Sequence, residues 1–333
     1  MDLKLEAITA ETYRLPLEES RAISREVSTT ADVVVVEAHA GGHVGRGEAS
    51  PTARYTQTLA GLKVQIALAA EEVIAGGSRA ALQTLMPPGA ARNAVDAALW
   101  DLEAKLSGRS VEAIAGLGEP RPVITAYTIP IKPPAEAGKV AERERHRPLI
   151  KVKLGRFEDD RPRLEAIRRG APDATLIVDA NEGWSLEQLQ VMAPIARDLG
   201  VALIEQPLHA DRDEVLAGMD VGIPLCADES CHTRESLDSV AGRYQFVNIK
   251  LDKTGGLTEA LALAAAARER GLGLMVGCTH GTTLALAPAY LIARMCAFSD
   301  LDAPLFLAQR EAHELVYDGS NVSWSGRRSW GLA

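Results

Sequence analysis

The chain has 333 residues, 47% hydrophobic but only 4% aromatic, enough for a barrel plus a smaller companion with a core built mainly from Ala, Leu, Val and Ile. Its net charge of −9 offers nothing to a polyanion, which argues against nucleic acid as a partner. No run approaches the roughly 18 apolar residues that would span a bilayer, which argues against a membrane protein.

The opening stretch MDLKLEAITAETYRLPL lacks the basic-then-apolar layout of a secretory signal. The four cysteines, Cys226, Cys231, Cys278 and Cys296, form no CxxC pair and read as buried free thiols in a reducing, cytoplasmic setting. ITAETYRLPL and ADVVVVEAHAGG are rich in β-branched residues and predict strands. The polar stretch between them, EESRAISREVSTT, predicts a loop long enough to move or to act as a lid. From about Gln57 to Leu117 an Ala- and Leu-rich pattern predicts helices, and the whole start is an α+β unit.

After Pro120 the pattern changes to short apolar runs separated by helical stretches. The runs are VITAYTIPI, LIKVKLG, TLIVDAN, ALIEQPL, PLCADES, FVNIKLDK, LGLMVGC and a weaker one near Met295–Ser299. Most are continuous rather than alternating, as in parallel strands covered on both faces. RPRLEAIRRG, SLEQLQVMAPIARDLG and TEALALAAAARERG predict helices, each with a glycine at its C-cap. Repeated βα units in this number predict an α/β fold, a TIM-type (β/α) barrel over 121–303. The α+β unit over 1–120 is expected to form a separate domain, with the tail over 304–333 packing back on it to complete it. A doubly wound sheet is the alternative, disfavoured because no GxGxxG follows the first strand.

In such a barrel the chemistry sits at the C-terminal ends of the strands. Strands three, four and five end in Asp179, Glu205 and Asp228. Any one of them alone fits a helix N-cap. Three carboxylates in register would repel unless a cation neutralised them, and oxygen-only ligands point to Mg²⁺. Strand two carries Lys151 and Lys153, two residues apart and so on one face, and strand six carries Lys250. The lysines thus flank the carboxylates from opposite sides.

That set suits removal of a proton next to a carboxylate. The enediolate that forms would be stabilised by the metal, and the charge on Mg²⁺ and Lys151 would lower the proton affinity of Lys153. Two bases on opposite faces would invert a stereocentre. One base opposite a lysine that only holds charge would suit elimination or cycloisomerisation. Lys253, three residues past Lys250, should not share its strand face and reads as structural.

Taken together, KVK (151–153), IVDAN (177–181), IEQP (204–207), CADES (226–230) and NIKLDKTGG (248–256) resemble the muconate-lactonising subgroup of the enolase superfamily. The resemblance implies a capping domain over 1–120, Mg²⁺ on Asp179, Glu205 and Asp228, Lys153 and Lys250 as the acid/base pair, and Lys151 assisting Lys153 and the substrate carboxylate. AARNAVDAALWDL (90–102), CADESCHTR (226–234), KLDKTGGLTEAL (250–261) and SDLDAPL (299–305) further resemble the dipeptide epimerases of the L-Ala-D/L-Glu type. That implies a dipeptide substrate whose α-ammonium meets Asp300 and Asp302, and whose side-chain carboxylate meets Arg25, with Arg21 as the nearby alternative. Thr128 and Cys278 complete the expected substrate-binding set. GCTHGTT (277–283) departs from the family's pattern and would bring Thr279 and His280 near the substrate. An N-acylamino-acid racemase with o-succinylbenzoate synthase activity, a cycloisomerase, and a non-catalytic metal-binding barrel are the alternatives. Monomer and homo-oligomer both remain open.

Overall fold

The computed structural model describes residues 3–310 and 313–332. Met1, Asp2, Glu311, Ala312 and Ala333, which fall in the two outer expected segments, lie outside the described residues. Strands β1 (Ala7–Ala22), β2 (Val27–Ala40) and β3 (His43–Ala49) form an antiparallel sheet. Helices α1 (Leu59–Gly76), α2 (Arg79–Leu85), α3 (Ala90–Ser107) and α4 (Val111–Ile114) follow. Val34, Val36, Ala38 and Ala40 alternate along β2 and pack against Leu62, Ile66, Ala94, Leu99 and Leu102 of α1 and α3.

The expected lid loop is instead mostly strand. Glu18–Ala22 belongs to β1 and Val27–Thr30 to β2, leaving a tight turn in which Ile23 N donates to Glu26 O at 3.0 Å. A ladder satisfies the backbone whatever the side chains are, so polar residues can line a two-stranded arm that water bathes. The register shifts between Pro16 and Arg21, and the tip rests on the barrel, with Ile131 N donating to Ala22 O at 2.9 Å.

Helix α3 presses its backbone directly onto β3. A Cβ on Gly47 would sit 2.1 Å from Ala94 O and 2.7 Å from Ala98 N. Gly47→Ala should therefore cost about 3 kcal/mol, since backbone cannot yield as a flexible side chain can. Gly118, whose Cβ would meet nothing within 4 Å, is the control. Midpoints of guanidinium unfolding compare the two, and equal midpoints would refute the close-approach argument.

The remaining chain contains β4 (Val123–Ile124), β5 (Tyr127–Ile129), α5 (Pro134–Arg143), β6 (Leu149–Lys153), α6 (Phe157–Gly170), β7 (Thr175–Asp179), α7 (Leu186–Asp198) and β8 (Val201–Glu205). Then come β9 (Leu225–Ala227), α8 (Leu237–Val240), β10 (Phe246–Ile249), α9 (Leu251–Thr254), α10 (Leu257–Glu269), β11 (Gly273–Val276), α11 (Thr283–Ala293), β12 (Phe298–Ser299), β13 (Leu315–Asp318) and β14 (Asn321–Trp324). Strands β5 to β12 pair in sequence order as one parallel sheet, each run expected from the sequence supplying one strand. Ala126 N donates to Ser299 O at 2.7 Å and joins the two ends into a barrel.

Ala126, Leu149, Ile177, Leu203, Cys226 and Met275 form their own apolar plug, packed against Phe246 and Phe298. Inward residues recur every second position along a strand. The layer above the plug is therefore Thr128, Lys151, Asp179, Glu205, Asp228, Asn248, Gly277 and Asp300. Lys153, Lys250 and Asp302 come two residues further on. Polar residues begin where the plug stops.

Three helical expectations are corrected. After β8 and β9 the chain makes only the 3-10 turns Ala210–Leu216 and Arg234–Ser236, the second leading into the one-turn α8. Gly200 and Gly271 adopt the left-handed conformation past α7 and α10, but Gly170 is the last residue inside α6. A Cβ there would lie 2.5 Å from Gly138 O, so this glycine serves the close packing of α5 on α6. The tail hairpin β13–β14 pairs with β4, splitting the expected first barrel strand in two. The tail also reaches the N-terminal unit, where Trp330 Nε1 donates to Ala97 O at 3.2 Å and Gly331 N to Asp101 at 2.7 Å. All four cysteines are free, but only Cys226 and Cys231 are fully buried. Among the described residues no helix is long and apolar enough to cross a membrane.

Candidate active site

Asp179 and Glu205 pair in register at the ends of β7 and β8, and Asp228 follows β9. All three are buried, and each offers a carboxylate oxygen within 4.8 Å of the others. Three converging oxygen donors with no soft ligand fit a hard divalent cation. Lysines surround them. Lys151 Nζ lies 3.0 Å from Asp179, 2.7 Å from Glu205 and 2.7 Å from Asp300. Lys153 Nζ lies 2.7 Å from Asp179 Oδ2 and donates to Asn181 Oδ1 at 3.1 Å. Lys250 Nζ lies 2.6 Å from Asp228 Oδ2. Strands β6 and β10 are four places apart in a barrel of eight, so Lys153 and Lys250 approach the triad from opposite sides.

The electrostatics follow from burial and this alternation of charge. Burial pushes the Glu205 carboxyl up to about 7, and the Asp179 charge adds to the push. Burial also works against Asp179 and Asp228, yet Lys153 and Lys151 hold the first below its ordinary value, and Lys250 and Lys253 hold the second there. Burial would lower Lys151 and Lys250, but their carboxylate neighbours raise both above the ordinary lysine value. Lys253 donates to Asp228 Oδ1 at 2.6 Å, to Asn248 O at 3.1 Å and to Asp228 O. Helix α9 starts right after Lys250, and its turn brings Lys253 back beneath Asp228, in keeping with a structural role.

Asp300 and Asp302 are both buried and both touch Thr128. Asp300 Oδ1 accepts from the Thr128 hydroxyl at 3.2 Å, and Asp302 Oδ2 from its backbone N–H at 2.5 Å. Burial and then the Asp300 charge push Asp302 up to about 7. Cys278 is half-buried; burial and the charges of Asp300 and Asp302 raise its thiol, so it is a neutral wall.

Both candidate arginines reach this region. Arg25 Nη2 lies 2.8 Å from Glu229, and its Nη1 donates to Asn181 O at 3.2 Å. Glu182, gripped by Arg54 at 2.6 and 2.8 Å, is 3.7 Å from Arg25. Arg21 is buried, stacks 3.3 Å over the Phe306 ring and donates to Thr128 O at 3.0 Å. The Thr279 hydroxyl donates to Asp252. Burial and the charges of Arg21 and Lys153 push the His280 imidazole down to about 4, so it is neutral at physiological pH.

Several residues here escaped the sequence reading. Asn248 Nδ2 donates to Glu205 Oε1 at 2.7 Å, and its place two residues before Lys250 was the available signal. Glu229 and Glu182 meet Arg25, and Arg54 meets Glu182, only through tertiary folding, and no local pattern marks Glu182 or Arg54. Gly277 leaves room for Lys250, since a Cβ there would lie 2.9 Å from Lys250 Cε.

A parallel barrel with a carboxylate triad flanked by opposed lysines, and a sheet-and-helix cap above it, defines an enolase-like enzyme. Residues 135–322 match the family described as "Enolase C-terminal domain-like", and residues 7–116 match "Mandelate racemase / muconate lactonizing enzyme, N-terminal domain". The chain belongs to the mandelate racemase/muconate lactonizing enzyme family of the enolase superfamily. It is 45% identical to the L-Ala-D/L-Glu epimerase of Escherichia coli (strain K12), over 88% of this chain and 92% of that one. It is 42% identical to the N-acetyl-D-glutamate racemase of Pseudoalteromonas sp, over 87% and 92%. A crystal structure of an Agrobacterium tumefaciens enolase family member with homology to dipeptide epimerases, with bound sodium and L-Ala-L-Glu, is 45% identical. It superposes with a TM-score of 0.94 over 98% of this chain and 99% of that one. The Enterococcus faecalis dipeptide epimerase complexed with Mg and L-Leu-L-Tyr is 26% identical, with a TM-score of 0.89 over 98% of each chain. The Escherichia coli, Pseudoalteromonas and Enterococcus relatives are named as epimerases or a racemase, and the chain is an enzyme of that isomerase class.

Proposed function

We propose that the enzyme inverts the α-carbon of the C-terminal residue of a dipeptide of the L-Ala-D/L-Glu type, with Lys153 and Lys250 as its two bases. The observation that carries this reading is the placement of those lysines on opposite barrel strands, each against a different carboxylate of one buried triad. Mg²⁺ on Asp179, Glu205 and Asp228 would stabilise charge building on the substrate carboxylate and relieve the lysines of the counter-charge that keeps them protonated. One lysine takes the α-proton from its own face and the other returns a proton to the opposite face. Lys151, held cationic by three carboxylates, contributes charge rather than a proton. Asp300 and Asp302 receive the α-ammonium, whose N–H donors match their acceptors, with Thr128 and Cys278 forming the wall beside it. Arg25 exchanges its bond to Glu229 for the side-chain carboxylate of the second residue.

Proton NMR of L-Ala-D-Glu in D₂O with enzyme and Mg²⁺ tests this. The expected result is loss of the glutamate α-proton signal together with new L,L diastereomer, both blocked by EDTA. Loss of signal without the diastereomer would refute inversion.

The Pseudoalteromonas relative favours a second reading, racemisation of an N-acylamino acid. Such a substrate has no ammonium for the Asp300–Asp302 pair. A charged hydrogen bond is worth about 1.5–3 kcal/mol, so the free dipeptide should react about ten- to a hundredfold faster than its N-acetylated form. Equal rates on the two would favour the N-acyl reading.

A further inference from the structure

The turn that follows Lys250 is gripped from outside the barrel. Lys250 O accepts from Lys253 N and Thr254 N, both at 3.0 Å, and so opens α9. Arg92 of α3, itself buried, closes the other end, donating to Thr254 O at 2.6 Å and to Gly255 O at 3.1 Å. Gly255 and Gly256 have φ of 78° and 118°. Their Cβ atoms would lie 2.3 Å from Arg92 Nε and 2.4 Å from Asp96 Cβ, so only glycine admits α3 this closely. Asp96 then caps α10 by accepting from Thr258 N at 3.0 Å and from its hydroxyl at 2.6 Å.

Inside this turn stands Asp252, two residues past Lys250. Its Oδ1 accepts from Asn93 Nδ2 of α3 at 2.8 Å, its Oδ2 from the Thr279 hydroxyl, and the Ser50 backbone also donates to it. One buried carboxylate thus ties the turn after Lys250 to the capping helix, to the loop after β3 and to the loop after β11. Lys153 is held by other elements. Its ammonium meets Asp179 and Asn181, and Asn181 O is held by Ser24 and Arg25 of the β1–β2 arm.

We propose that Asp252 is a positioning residue for Lys250, through which the capping helix sets the geometry of one base and not of the other. The inference rests on the two-lysine reading given above. A displacement of about 1 Å from productive geometry can cost about a hundredfold in rate. The loss should fall only on the epimer whose α-proton Lys250 removes.

The test is the rate of α-deuterium incorporation in D₂O, started separately from L-Ala-D-Glu and from L-Ala-L-Glu. The proteins compared are wild type, Lys250→Ala, Asp252→Asn and Asn93→Ala. Asp252→Asn is expected to slow exchange by about a hundredfold from the epimer that Lys250→Ala silences, with KM little changed. Exchange from the other epimer should stay near the wild-type rate. Asn93→Ala, which leaves the carboxylate with Thr279 and Ser50, should show the same selectivity at smaller size, and it decides the matter if Asp252→Asn does not fold. Equal slowing from both epimers, or no slowing, overturns the proposal. If Lys250→Ala itself is not selective, the two-lysine reading falls and takes this inference with it. If Lys250→Ala is selective and the Asp252 and Asn93 variants are not, only the positioning role falls.

Discussion

Lys153→Ala and Lys250→Ala are each expected to abolish net inversion, with epimerisation rates down by about 10³-fold or more, toward the upper end of what a positioned acid or base contributes. The two losses should differ in kind. Each single variant keeps one base, so it should still wash deuterium into one epimer without inverting it, and the two variants should choose opposite epimers. Neither loss should come from unfolding. Lys151 still neutralises Asp179 when Lys153 is removed, and Lys253 still neutralises Asp228 when Lys250 is removed. No triad carboxylate is left buried and bare, so thermal midpoints should stay close to wild type. A variant that epimerises at full rate would remove that lysine from the mechanism.

Stripping the divalent cation should be as damaging. EDTA should abolish epimerisation, and restoring Mg²⁺ should recover it and raise the thermal midpoint. A ligand at a hundred times its Kd stabilises the folded state by about 2.7 kcal/mol. The pH dependence has a definite sign. Glu205 is pushed up to about 7 when folded, above the ordinary 4.5. The folded state therefore holds that proton more tightly, and stability from this group is present below about 4.5 and lost as pH rises through about 7. A cation needs the ionised form, so the rise in midpoint on adding Mg²⁺ should be larger at pH 8 than at pH 5.5. A rise that is absent, or that shrinks with pH, would count against a cation on this triad. Glu205→Gln should abolish the rise.

The strand-end carboxylates and the lysines were legible from the sequence alone because a strand has a fixed period of two. Leu149, Ile177, Leu203 and Cys226, two places before Lys151, Asp179, Glu205 and Asp228, belong to the barrel plug, so the period of two turns those four side chains inward, whereas Asp300 and Asp302 were marked by the family resemblance. Only the tertiary structure decided what meets across strands and between units. The arm that brings Arg21 and Arg25 to the mouth read as a loop, because its polar composition hides a ladder made by backbone groups. Thr128 was named, but that it joins Asp300 to Asp302 depends on closure of the first barrel strand against the last. Asn93 and Asp252 are 159 positions apart in the chain, and nothing local predicts that their side chains share a bond. Periodicity encodes which way a side chain points; which partner it finds depends on long-range packing of elements that no short stretch of sequence contains.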